Sequence, residues 1–98
     1  MAVGDYWFER NCVQRVVISS SVRTLGTAAF AYCAQLHEVT FESSFHLEII
    51  GQQCFVNCSI ERITIPKSVR RIESDAFCDC QRLASLCFEE GSLLDYVG

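Results

Sequence analysis

Apolar and polar positions follow a pattern that returns along the chain. Val16-Val17-Ile18-Ser19-Ser20-Ser21-Val22-Arg23-Thr24-Leu25 leads to Ala29-Phe30-Ala31-Tyr32-Cys33. The pattern recurs as Ile63-Thr64-Ile65-Pro66-Lys67-Ser68-Val69-Arg70-Arg71-Ile72, leading to Ala76-Phe77-Cys78-Asp79-Cys80. Aligned on its phenylalanines, the chain divides into units 4–25, 26–50, 51–72 and 73–97, bounded by Gly4, Gly26, Gly51, Glu73 and Gly98. The spacings alternate between 22 and 25 residues. A period of this size predicts a stacked solenoid, in which no unit can bury its apolar face alone.

Within a unit the pattern changes twice. Val16/Ile18, Val39/Phe41, Ile63/Ile65 and Leu86/Phe88 alternate at period two, which predicts short strands with those side chains inward. The pairs Val22/Leu25, Leu47/Ile50, Val69/Ile72 and Leu94/Val97 are three residues apart, which suits a bend or irregular extended segment better than a regular strand. A glycine usually follows, where backbone freedom helps the chain reverse direction. A brief segment then carries Phe8, Phe30, Phe55 or Phe77, predicted as a turn or two of α- or 3₁₀-helix. Val13, Leu36, Ile60 and Leu83 lead back to the next strand. Strands recurring once per coil must lie parallel, about 4.8 Å apart. The phenylalanines are then expected to stack into a buried aromatic spine.

The ends of the array differ. Asp5, Tyr6 and Trp7 stand where later units carry small residues, and Asn11 replaces the recurring cysteine. Such polar drift suits a capping unit. The last unit keeps apolar residues, so Leu94 and Val97 are candidates for end-to-end self-association.

The set Ile63-Thr64-Ile65-Pro66, Ser68-Val69, Ile72, Ala76-Phe77 and Cys80, then Leu83, Leu86 and Phe88, resembles the BspA-like leucine-rich repeat family. Phe88-Glu89-Glu90-Gly91-Ser92-Leu93-Leu94 is similar to the longer alternate unit of that family, and Ser19 departs from the Pro that Pro66 supplies. The resemblance covers residues 4 to 98. It implies a curved solenoid mediating protein or host-surface contacts, often on microbial cell surfaces. The expected fold class is thus α/β: one leucine-rich-repeat solenoid over 1–98, with short parallel strands on one face and turns and short helical or 3₁₀ segments on the other.

Charge narrows the partners. The formal net charge is −4, which disfavours a nucleic-acid groove built on clustered Lys and Arg. Arg62, Lys67, Arg70 and Arg71 are the main basic concentration, and Glu61 and Glu73 flank them as in a solvated turn. No apolar run approaches the roughly 20 residues of a membrane span. Met1 to Arg10, interrupted by Asp5, Glu9 and Arg10, shows no signal-peptide pattern. The resemblance points to a cell surface, whereas the cysteine pattern is also compatible with a reducing cytoplasm.

Seven cysteines are an odd number and many for 98 residues. Cys33, Cys58 and Cys80 each follow a spine phenylalanine by three positions, which predicts a buried column of thiols filling the coil corners. Cys54, Cys58, Cys78 and Cys80 offer a weaker zinc or redox alternative. Cys87 should point outward without a neighbouring base, and His37 and His46 fall in surface turns. Asn57-Cys58-Ser59 is formally a glycosylation sequon with a buried middle residue. No catalytic constellation stands out, so no enzyme and no cofactor are expected.

The outward strand face is the candidate site. Its rows are Arg15, Glu38, Arg62, Ser85; Val17, Thr40, Thr64, Cys87; and Ser19, Glu42, Pro66, Glu89. Arg15, Glu38 and Arg62 could also pair across strands simply to hold the coils in register. The leading expectation is a non-catalytic, adhesion-like module whose concave face contacts protein or glycan. The alternative is a structural spacer or self-assembly element of a longer array.

Overall fold

The computed structural model describes residues 2–42 and 46–97. Among the described residues, nine strands form two parallel sheets. Strands β2 (Arg15–Ile18), β4 (Glu38–Phe41), β6 (Arg62–Ile65) and β8 (Ser85–Phe88) make the four-stranded sheet. The two-residue strands β1 (Ala2–Val3), β3 (Thr24–Leu25), β5 (Ile49–Ile50), β7 (Arg71–Ile72) and β9 (Tyr96–Val97) make the five-stranded one. Every pairing is parallel and joins neighbouring coils. The second apolar pair of each unit therefore ends in a regular strand, correcting the expected irregular segment. Two ladder positions per coil suffice because β3, β5 and β7 are each paired on both sides through the stack.

The chain is a parallel β-solenoid, and no described residue is helical. The segments expected to be helical are ribbons of overlapping turns. In the second coil, Ala29, Ala31 and Cys33 donate to the carbonyls three residues back, at 3.1–3.4 Å. The intervening N–H groups of Ala28, Phe30 and Tyr32 donate instead to Gln52, Cys54 and Val56 of the next coil, at 2.8–2.9 Å. A helix directs its N–H groups back along its own turn. Here alternate groups are committed to the neighbour, so a helix cannot form.

The ribbon requires left-handed backbone at two places per coil. These are Tyr6, Ala28, Gln53 and Asp75, then Arg10, Tyr32, Asn57 and Asp79, all with φ between 55° and 61°. Gly4, Gly26 and Gly51 do not have positive φ. They are needed for close approach: a Cβ on Gly51 would lie 2.6 Å from the backbone of Gly26 and Leu25. The reversal expected of these glycines is made by the turn ribbon. The boundary expected at Gly98 lies outside the described residues.

The core runs between the sheets and the ribbon. Ile18, Leu25, Leu36, Ile50, Ile60, Ile63, Ile65 and Val69 are buried in it. Phe8, Phe30, Phe55 and Phe77 stack face to face with centroids 5.2–5.4 Å apart and planes within 11°. Phe30 and Phe55 are fully buried, whereas Phe8 is partly exposed at its end of the spine. No described helix is long and apolar enough to cross a membrane.

Candidate concave binding face

Alternation within β2, β4 and β6 turns one set of side chains toward the core and the other to solvent, whereas in β8 Leu86 and Phe88, expected inward, are exposed because among the described residues no further coil covers them. The register aligns Arg15, Glu38, Arg62 and Ser85 in one row. Val17 lies opposite Thr40 and Thr64 opposite Cys87. Ser85 is half-buried and the other members of these rows are exposed, Val17 at 64%. Arg15 pairs with Glu38 through Nε at 3.3 Å. Arg62, on the other side of Glu38, makes no ion pair among the described residues. Ser85 Oγ and Cys87 Sγ are 3.3 Å apart.

The third row departs from its expected outward arrangement. Pro66 is buried. Glu42 and Glu89 are exposed, but their carboxylates fold back onto the preceding coil. Glu42 Oε1 accepts the Ser20 N–H at 3.2 Å, and Glu89 Oε1 accepts the Lys67 N–H at 2.8 Å. Both glutamates open the longer strand-to-strand links, and each closes the turn of the shorter link beneath it.

The sheet itself opens in the middle. β2 and β4 pair at four positions, as do β6 and β8. β4 and β6 register only at Glu38 and Arg62. Pro66 supplies a local cause. Glu42 N–H donates to Ile18 at 3.0 Å and Glu89 N–H to Ile65 at 3.1 Å. Pro66 holds the equivalent place on β6 and has no N–H for the carbonyl of Phe41. Above this gap lies a cleft of about 470 Å³ lined by Glu38, Thr40, Glu42, Arg62, Thr64, Pro66 and Glu89, among others. The sequence pattern identified the row positions, but not that two strands part at Pro66.

The cysteine column lies behind this face. Cys33 Sγ donates to Phe8 O at 3.0 Å, Cys58 Sγ to Phe30 O at 3.1 Å and Cys80 Sγ to Phe55 O at 3.0 Å. Each thiol thus holds the spine carbonyl of the coil before it, and all seven cysteines are free. Burial pushes the Cys33, Cys54, Cys58 and Cys80 thiols up, Cys58 to about 12. These are neutral packing groups, poor as nucleophiles. Among the described residues no three His, Cys, Asp or Glu side chains converge on a metal position, and Cys54 and Cys78 lie respectively inside and outside the coil. His37 and His46 stand away from the cleft, and His37 Nδ1 lies 3.2 Å from the carbonyl of Gln35.

Comparison with known proteins follows the same architecture. The profile of the BspA type leucine-rich repeat region matches residues 1–97 in six copies. No curated protein matches the chain significantly. Among solved structures, the pneumococcal vaccine antigen PcpA aligns with a TM-score of 0.82 at 32% identity, over 92% of this chain and 22% of PcpA. A leucine-rich repeat protein from Bacteroides capillosus aligns with a TM-score of 0.81 at 30% identity, over 91% of this chain and 63% of that protein. A leucine-rich cell surface protein from Faecalibacterium prausnitzii shares the fold at 24% identity and a TM-score of 0.64, over 90% of this chain and 29% of its own. The chain therefore spans less than two thirds of each of these proteins.

Proposed function

Because the chain belongs to the BspA-type leucine-rich repeat family, we propose that it is a non-catalytic binding module whose concave sheet contacts a protein partner at the Pro66 cleft. The observation carrying this reading is the parting of β4 from β6 beside Arg62, a cation with no ion-pair partner among the described residues. A ligand carboxylate placed in the cleft meets the Arg62 guanidinium. The hydroxyls of Thr40 and Thr64 supply neutral donors and acceptors alongside it. Protein suits the face better than glycan, because the sheet's outward rows hold no aromatic ring for a sugar to lie against. The likeness to a vaccine antigen agrees with an adhesion-like role at a surface.

Arg62 is exposed and makes no ion pair among the described residues, so Arg62→Glu keeps the fold, the carboxylate pair it sets opposite Glu38 costing under about 1 kcal/mol. The test compares wild type and this variant on parallel peptide and glycan arrays. Binding to acid-containing peptides that falls at least about tenfold in Arg62→Glu supports the reading, the range expected for a charge-assisted contact. Equal binding by both proteins moves the site away from the cleft, and binding confined to glycan spots changes the ligand class.

The second reading is a spacer or self-assembly element. Of the two residues expected at its interface, Val97 is exposed whereas Leu94 is half-buried against the core, and Leu86, Phe88 and Leu93 are the other exposed apolar side chains of that coil.

A further inference from the structure

The cleft at Pro66 holds more charge than the Arg62 guanidinium. Glu38, Glu42 and Glu89 line it as well. Arg15 offsets Glu38, with Nε 3.3 Å from its carboxylate. Glu42 and Glu89 are exposed and make no ion pair among the described residues. A ligand carrying only a carboxylate would meet Arg62, but it would also enter a cleft where two uncompensated carboxylates remain. Like charges at that range oppose each other, so an acid alone fits only half of the cleft.

The two signs are set apart along the strands. Glu38 and Arg62 share one row, and Glu42 and Pro66 stand four residues further on in their own chains. Four extended residues span about 13 Å. Thr40 and Thr64 lie between the poles, exposed and neutral. At the acidic pole Glu89 Oε1 accepts the N–H of Lys67, the residue after Pro66, at 2.8 Å. That bond holds the carboxylate beside the end of the parted strand. Glu42 Oε1 is held in the same way on the Ser20 N–H, at 3.2 Å. A backbone N–H orients each carboxylate but leaves its negative charge, and the second oxygen of each makes no described hydrogen bond. In an extended peptide, side chains four positions apart fall on one face and span the same distance as the two poles.

Resting on the reading of this cleft as the binding site, we infer that it selects an extended peptide segment of both signs. An Asp or Glu of the partner meets Arg62, and a Lys or Arg four residues away meets Glu89 and Glu42. Small or hydroxylated residues between them lie over Thr40 and Thr64. The acid anchors the segment, and the base distinguishes it from acidic peptides in general.

The test is fluorescence anisotropy with labelled, end-capped synthetic peptides in a neutral Gly and Ser background. One pair carries Glu and Lys four positions apart, in either order, so that both chain directions are sampled. A second peptide replaces the Lys by Gln, and a third sets Glu and Lys three positions apart, on opposite faces. Wild type is expected to bind the better of the first pair about threefold to tenfold more tightly than the other two, the scale of one or two exposed ion pairs. Glu42→Gln with Glu89→Gln removes both charges and keeps an acceptor oxygen for the Ser20 and Lys67 N–H groups, with circular dichroism confirming the fold. This variant should lose the preference and bind the Gln peptide at least as tightly as wild type does. A wild type that binds the Gln peptide as well as the first pair overturns the inference and leaves the cleft reading in place. A preference that survives in the double variant also overturns it, by placing the base elsewhere. Arg62→Glu binding every peptide as wild type does would overturn both.

Discussion

Gln53 shows how a single position records the geometry of the coil. It is exposed, its φ is 56°, and its backbone N–H and carbonyl bond to Ser74 and Val56 respectively. Nothing about the Gln side chain favours the left-handed region, which costs an L-residue roughly 1–2 kcal/mol. Gln53→Gly removes that cost while leaving both backbone bonds in place. Glycine's larger unfolded-state entropy offsets part of the gain, so the expected net stabilisation is about 0.5–1 kcal/mol, read as a rise in the urea midpoint. Asn57, Asp75 and Asp79 meet the same demand with residues that tolerate this region better.

Cys58 makes a pH-dependent statement about the same interior. Burial raises its thiol from an ordinary value of 9.0 to about 12, and the neutral thiol holds Phe30 O. The unfolded chain ionises this group first as pH rises. The stability linked to the thiol is therefore whole below pH 9 and is lost between pH 9 and about 12. Denaturant midpoints should fall across that window, and Cys58→Ala should show a shallower fall from a lower starting stability. An unchanged slope in the variant would assign the alkaline loss to the other buried thiols.

Strands and turn ribbons depend on what each backbone group can donate. The carbonyl of Phe41 lacks a ladder donor because residue 66 is proline, and β4 and β6 part beside it. Ser19 holds the corresponding place in the first coil, so serine is compatible with this link. Pro66→Ser restores an N–H directed at Phe41 O and should draw the two strands together. The measurement is amide hydrogen exchange, with the residue 66 amide protected and Thr64 exchanging more slowly than in wild type. The same change should weaken ligand capture while leaving Arg62 in place. A residue 66 amide that exchanges as freely as an exposed loop would show that another constraint holds the cleft open.

The Phe spine illustrates how much of an element is legible before folding. Four phenylalanines at matched positions announced a stack, and their rings lie parallel at 5.2–5.4 Å. The segments carrying them announced a helix only because short polar stretches around one apolar anchor suit either structure. Which one forms depends on where alternate N–H groups find acceptors. Those acceptors belong to the next coil, as in Phe8 to Ala29 and Phe30 to Cys54, so no local pattern contains the answer.

For the molecule as a whole, the repeat by itself determined a parallel solenoid, the inward and outward sets of β2, β4 and β6, and the family to which the chain belongs. These follow from periodicity, since period-two alternation and a fixed coil length leave little freedom in how strands stack. The concave rows Arg15–Glu38–Arg62–Ser85 and Val17–Thr40, with Thr64–Cys87, were legible for the same reason. Only the tertiary structure decided that β4 and β6 part, that Glu42 and Glu89 turn back to close links in the preceding coil, and that glycines serve close packing rather than reversal. It alone also set the direction of the backbone hydrogen bonds along the convex ribbon. The physical division is between what a residue's own position repeats and what its neighbour one coil away can accept. The first is written in the order of side chains, and the second exists only once the coils are stacked.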